Sequence, residues 1–485
     1  MTRVLHLRTG AYQDSISLMQ VSRDIAARAD VRTALVAMAT ELNLDLLSGL
    51  GFTPPEGASP NDMVVAVDAD DDTAAEAAVT AVDEQLARRP TTSDIGSSRP
   101  APRTVGAAAR RAPASLALVS TPGRVAAIDA ADALAAGLDV MVFSDNVALE
   151  QEVRLKQLAD ASGLLVMGPD CGTAVVDGVG LGFANVVRPG RVGVVAASGT
   201  GAQQMLTLLA GAGVGVKHCW GVGGRDLSAE VGGRSTLAAL DQLAADDDID
   251  VVVVLSKPPD DDVAAKVTAH AESLDTTVLT GYLGPGRPDL TATAARVVEA
   301  AGGVWATPGR WGPAARPADG EGFVRGLFSG GTLCDEAMLI AVEALGEVAS
   351  NIPLAGQPAL GEAMESTGHT FIDFGDDRLT AGRPHPMIDG SLRLERLATE
   401  LADPACAAVL LDVVLGLAAH PDPAAELCPV IGAAEKPVLV TVVGTRDDPQ
   451  GLQRTIDALT GAGAVVHASN AAAAHEAVDL VRSPR

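Results

Sequence analysis

RVGVVAASGTGAQQMLTLLAGAG (191–213) and FVRGLFSGGTLCDEAMLIAVEALG (323–346) are one design written twice. Each reads as a short apolar strand, a Ser-Gly-(Gly)-Thr turn and an amphipathic helix. Three further stretches repeat in the same order. GGRDLSAEVGGRSTLAALDQLAAD (223–246) answers to GDDRLTAGRPHPMIDGSLRLERLATELAD (375–403), and DVVVVLSKPPD (250–260) to AAVLLDVVLGLAAHPD (407–422). VLTGYLGPGRPD (278–289) answers to VLVTVVGTRDDPQG (438–451). Four ordered matches predict a duplicated α/β domain, at 191–313 and 323–482.

The turns carry the chemistry. Amides at a helix start lack intrahelical acceptors, and the helix dipole adds partial positive charge there. Glycines let backbone approach an anion, and hydroxyls add donors. Ser198, Gly199, Thr200 and Gly201, with Ser329, Gly330, Gly331 and Thr332, are therefore the candidate phosphate ligands. The alternative is simple helix capping. If the copies pack with two-fold symmetry, Gly199 and Gly330 face one shared cavity. A valine at either is then expected to abolish anion binding and leave the fold intact.

Upstream, residues 1–95 read as a small α+β domain, with strands at 4–8, 33–40 and 63–69 and helices at 14–29 and 72–88. Residues 96–113 are dense in Pro, Ser, Arg and Gly and read as a linker. Strand and helix alternate through 114–190, which predicts a Rossmann-like parallel sheet. Its first turn, Ser120, Thr121 and Gly123, is a weaker anion candidate.

Composition narrows the partners. A net charge of −27 argues against nucleic acid and anionic membranes and leaves a small anionic substrate held by local donors. With 47% hydrophobic but 2% aromatic residues, the cores must be aliphatic, as in covered parallel sheets. There is no apolar run of about 18 residues, no signal peptide and no metal-binding His or Cys spacing. Five scattered cysteines suit a reducing cytoplasm.

Other residues stand at strand ends. Arg225, in the loop Gly223, Gly224, Arg225 and Asp226, is suited to clamp a carboxylate, or else pairs with Asp226 at the surface. Arg383, His385 and Asp389 fall in the equivalent loop of the second copy. There Arg383 would hold substrate and His385, held between prolines, would move a proton; a structural imidazole is the alternative. Lys257 would neutralise an anion, or end its strand in solvent. Cys171 and Cys334 each lie in a candidate loop, where a helix start would favour a thiolate, and buried packing is the commoner reading.

The motifs DSISLM (14–19), ATELN (39–43), GPDCGTA (168–174), GFANVV (182–187), SKPP (256–259), SGGTLC (329–334), GRPHPMID (382–389) and DVVLGLAAHPDP (412–423) resemble those of the FdrA family. Those proteins are acyl-CoA synthetase-like and resemble succinyl-CoA synthetase. The resemblance implies a Rossmann-like CoA-binding-type domain followed by two flavodoxin-like ligase-type domains. It also implies a carbamoyltransferase of purine and allantoin breakdown, working with companion subunits as a homodimer or larger. Oxalurate and phosphate would give oxamate and carbamoyl phosphate. The ligases of the superfamily carry a phosphohistidine in the loop that here reads TGYLGPGRPD (280–289), without histidine. Residues 314–322 between the copies are also too short for an ATP-grasp domain. CoA-linked chemistry, with Ser120–Gly123 binding CoA, and a non-catalytic metabolite-binding scaffold are the other readings.

Overall fold

The computed structural model describes residues 2–11, 13, 15–26, 28–55, 57–87, 102–315, 322–380 and 383–482. Residues 88–101, and with them the first part of the expected linker, lie outside that set. The chain divides into two compact units, Met1–Ala101 with Gly382–Pro384, and Pro102–Ala381 with His385–Arg485.

In the first unit an antiparallel sheet takes the order Thr2–Arg8, Met63–Ala69, Val31–Met38. The middle strand is buried throughout, because the helices Ser15–Ala26 and Asp72–Ala87 cover one face and Leu47 and Phe52 pack on Ala66 of the other. Leu18, Ile25, Val65, Val67, Ala78 and Val82 make the core. This is the α+β domain expected from the sequence.

In the second unit, residues 102–113 are not wholly linker. Thr104 caps a short helix, Val105–Ala109, and the Gly106 amide donates to Asp132 at 2.7 Å. A parallel sheet follows, ordered Leu116–Val119, Asp139–Val142, Val166–Met167. The next hairpin, Thr173–Val176 and Val179–Gly182, pairs antiparallel with Val216–Gly221 instead and so extends the following sheet. Backbone pairing thus crosses the boundary drawn at 190.

The duplication appears as two sheets of matching order. The first runs Thr277–Tyr282, Val251–Ser256, Val192–Ala197, Val216–Gly221, all parallel. The second runs Val465–His467, Val438–Val443, Cys406–Val414, Phe323–Phe328, His369–Asp373. In both, the strand before the cradle lies inside the sheet between two later strands of its copy, Val216–Gly221 and Val251–Ser256 in the first, His369–Asp373 and Cys406–Val414 in the second. That is the doubly wound, flavodoxin-like arrangement, whose ligands sit beyond the carboxyl ends of the strands.

One aliphatic core joins the copies. Leu206 and Leu209 of helix Gly199–Gly211 share it with Leu333, Ala337 and Met338 of helix Gly331–Leu345. Buried polar bridges fix the register. Asn470 donates to Glu336 at 2.8 Å and to the Leu333 carbonyl at 3.0 Å, and its amide donates to Gln204 at 3.0 Å. Glu336 also takes the Leu290 amide at 2.7 Å. Burial pushes its carboxyl up to about 7, against these hydrogen bonds.

Candidate anion-binding site

The two cradles meet within one chain. Ser198 Oγ donates to Thr332 Oγ1 at 2.8 Å, and both residues are buried. Neither cradle helix has a side-chain cap. Among the described residues, the amides of Gly199, Thr200, Gly201, Gly331, Thr332 and Leu333 take no protein acceptor. Thr200 Oγ1 is buried without a hydrogen-bond partner. Six open amides and a free hydroxyl at two touching helix starts form a built electropositive pole.

Close approach explains two glycines. A Cβ on Gly330 would fall 2.3 Å from Thr200 Cγ2, and one on Gly201 2.9 Å from Thr332 Cγ2. Gly199 is exposed, with nothing within 4 Å of a Cβ. The expectation that valine would be tolerated at either turn therefore fails at Gly330, which leaves no room for any side chain. Ser329 is also corrected. Its hydroxyl and amide both donate to Asp412 Oδ1, at 2.8 and 2.9 Å, so neither is free to donate to an anion.

Lys257 ends the strand Val251–Ser256 and reaches the second cradle. Its Nζ lies 2.5 Å, and Asp373 Oδ2 2.9 Å, from the point where Gly331 would carry a Cβ. Burial disfavours the ammonium, but Asp335, Asp373 and Asp170 more than offset it and raise its pKa. The carboxyls respond in kind. Burial lifts Asp335 to about 6 and Asp373 to about 7, Lys257 opposing each rise. Asp170 stands exposed beside them, its carboxyl raised by crowding and by the negative charges of Asp377 and Asp145, with Lys257 and Arg225 opposing. The loop Gly223–Asp226 lies beside Asp170. Gly223 packs on the backbone of Gly168 and Pro169, and Arg225 lowers Asp170 and Asp377.

The remaining expected residues divide. Arg225 neither pairs with Asp226 nor lies loose; it donates to Glu152 at 2.9 Å and to the Val147 carbonyl at 2.8 Å while its side chain stays 45% exposed. Asp226 is fully buried and spent on Lys156, Ser235 and Thr236, so it is a structural residue and not a substrate ligand. Gly224 has open space around it. Asp389 accepts the Ser391 amide at the start of helix Ser391–Ala402. Arg383 is exposed and groups with the first unit.

His385 is corrected as a proton carrier. Its Nδ1 accepts the Met387 amide at 3.2 Å, which assigns the ring proton to Nε2. Burial, with help from Arg393, pushes its pKa down to about 4. A neutral imidazole with its lone pair engaged is a poor base, and its N–H is a poor acid. Cys171 and Cys334 are buried, and burial raises the first to about 12 and the second well above the ordinary thiol range, as packing requires.

Sequence reasoning missed Asp335, Asp373, Asp170 and Asp412. A signal was available: Asp373 and Asp412 each stand in a strand beside the cradle strand, where an apolar run meets the ligand edge.

Comparison with known proteins agrees with this architecture. Residues 1–102 match the family described as AllF, heavy metal-associated domain, and residues 327–480 the family described as CoA-ligase. The uncharacterized protein YahF of Escherichia coli K12 is 37% identical over 495 residues, covering 96% of each chain. The chain belongs to the FdrA family. A succinate–CoA ligase (ADP-forming) subunit alpha 2 of Archaeoglobus fulgidus is 28% identical over 125 residues, 25% of this chain and 44% of that one. An ATP citrate lyase of Methanothrix soehngenii aligns with a TM-score of 0.34 at 17% identity, over 41% of this chain and 37% of that one.

Two groups that such names imply can be tested against the residues of this FdrA-family chain. A soft metal needs thiolates or clustered imidazoles, but residues 1–102 contain no cysteine and a single histidine, His6, which is exposed on its strand. The donors do not fit a heavy metal. At the turn expected for CoA, the place of a Gly123 Cβ is taken by the carbonyls of Asp145 at 2.2 Å and Asn146 at 2.5 Å. Thr121 Oγ1 is tied to Asp129 and the Thr121 carbonyl to Ser144, while Ser120 is exposed. Carbonyl oxygens over that helix start do not fit a diphosphate.

Proposed function

We propose that this chain is the FdrA-type subunit of a carbamoyltransferase, moving a carbamoyl group between a ureido acid of the oxalurate type and phosphate in purine and allantoin breakdown. The observation that carries this reading is the meeting of two uncapped helix starts at Ser198 and Thr332, beside Lys257. That pole suits phosphate. The acids around it suit a substrate rich in N–H donors, since Asp373 and Asp335 offer acceptors where a carbamoyl group carries donors. Open amides aimed at developing charge would be the main catalytic term, each worth ~10²–10³ in rate.

Arg225 would hold the carboxylate of the substrate. Companion subunits complete the assembly in this reading, and because the cradles meet within one chain, the anion site does not need a second copy. The unpaired cysteines support a reducing cytoplasm. Among the described residues no helix is long and apolar enough to cross a membrane.

The full chain, isolated with the subunits that accompany it, is incubated with oxalurate and phosphate. Carbamoyl phosphate and oxamate are the expected products, and their absence refutes the assignment. A CoA-linked activity is the second reading, favoured by the CoA-ligase match. Stabilisation of the fold by CoA without a response to phosphate would select it.

A further inference from the structure

Beside the phosphate pole, the structure leaves one carboxylate that phosphate binding does not explain. Lys257 Nζ and Asp373 Oδ2 both lie within 3 Å of the same point over Gly331, at 2.5 and 2.9 Å, and the ammonium lowers the Asp373 carboxyl. Asp373 is 4% exposed. Its Oδ1 is fixed by the Gly375 amide at 2.9 Å, and its backbone is held on both sides by Asn351, at 2.9 and 2.8 Å. Oδ2 takes no protein donor. A carboxylate so rigidly mounted, with one oxygen left open beside free helix amides, is oriented toward something that is not protein.

We propose that Asp373 is the catalytic proton carrier of the transfer, Oδ2 taking the proton from the attacking phosphate and passing it to the departing nitrogen. This rests on the carbamoyl-transfer reading above and supplies the group that His385 cannot be. The step balances. An oxygen of HPO₄²⁻ forms the new bond to the carbamoyl carbon, and the bond from that carbon to the amide nitrogen of the ureido acid breaks. The phosphate proton moves to Asp373 and then to that nitrogen. The products are carbamoyl phosphate and a neutral primary amide, and Asp373 ends as the carboxylate it began as. Lys257, across the same point, holds charge on the phosphate side while the proton is in transit.

The surroundings suit the task. The charged groups facing Asp373 are Lys257 from the adjoining copy, Asp335 from the cradle helix and Asp376 from the following turn, with the Cys334 thiol alongside. Burial raises the Asp373 carboxyl to about 7, Lys257 and the Gly375 amide opposing and the two acids assisting. A carrier works best when its pKa lies near the working pH.

The test compares wild type with Asp373→Asn, each as the full chain with its accompanying subunits. Asparagine keeps an oxygen for the Gly375 amide and removes the ionisation. The expected result is a fall in kcat of ~10²–10⁴-fold, with the KM for phosphate and the phosphate-dependent melting shift retained. The ionisation near neutral pH should vanish from the kcat profile. An Asp373→Asn protein that turns over normally, or that keeps that ionisation, overturns the proposal and leaves the carbamoyl-transfer reading intact. Loss of phosphate binding together with turnover makes Asp373 structural and also overturns it. A wild-type complex without turnover removes both.

Discussion

Ser198 and Thr332 stand 134 positions apart in sequence, and a 2.8 Å hydrogen bond joins their hydroxyls at the starts of two helices. Two positive helix ends pointing together repel one another, so this contact costs free energy unless something negative shares it. The aliphatic core between the helices holds the ends in place, and an anion is the natural counter-charge. Replacing Thr332 by Val keeps the shape and removes the acceptor. The expected loss is about 1 kcal/mol of stability by denaturant titration, with a weakened melting response to phosphate. An unchanged response would show that the junction does not serve the anion.

The two turns should answer differently to a side chain. Gly330→Val meets Thr200 at once, and overpacking is expected to cost ~1–3 kcal/mol. Gly199→Val meets no protein atom within 4 Å of its Cβ, so stability should hold within about 0.5 kcal/mol while phosphate binding weakens. Equal destabilisation of both would contradict the packing described.

Two lysines should separate fold from ligand. Lys156 is fully buried between Glu152 at 2.8 Å and Asp226 at 2.7 Å, so Lys156→Met strands two carboxylates and should cost ~3–5 kcal/mol. Lys257→Met leaves carboxyls that can take up protons and should leave the chain folded, with its response to phosphate lost. Circular dichroism and melting with and without phosphate distinguish the two outcomes.

Three buried carboxyls should each lower stability as pH rises from about 4 to 7, while His385, held down to about 4, works the other way. Asp335 at about 6, Asp373 at about 7 and Glu336 at about 7 all lie above their ordinary values. Across that window each of these three carboxyls holds its proton more tightly in the folded chain than in the unfolded one, so its contribution to stability falls with rising pH until it is ionised in both states. Asp335→Asn should flatten the slope and stabilise the chain at pH 8 by roughly 1–3 kcal/mol. Melting curves of the wild type and Asp335→Asn across that range check the sign, and a variant no more stable than the wild type at pH 8 would refute it.

What the sequence determined by itself was everything that repeats locally. Strand, Ser-Gly-Thr turn and helix are set by periodicity and glycine placement within about twenty residues, so both cradles, the duplicated sheets and the N-terminal α+β domain were legible there. The tertiary structure decided which hydroxyl bonds to what. Ser198 could be seen as a donor, but its partner lies in the other copy, and Ser329, its counterpart in sequence, is spent on Asp412. Asp373, Asp335 and Lys257 come from three separate elements, and only folding brings them around Gly331. His385 had the right chemistry for a proton carrier, but burial and a backbone amide on Nδ1 withdraw it. Protonation depends on distance and solvent, and neither is written along the chain.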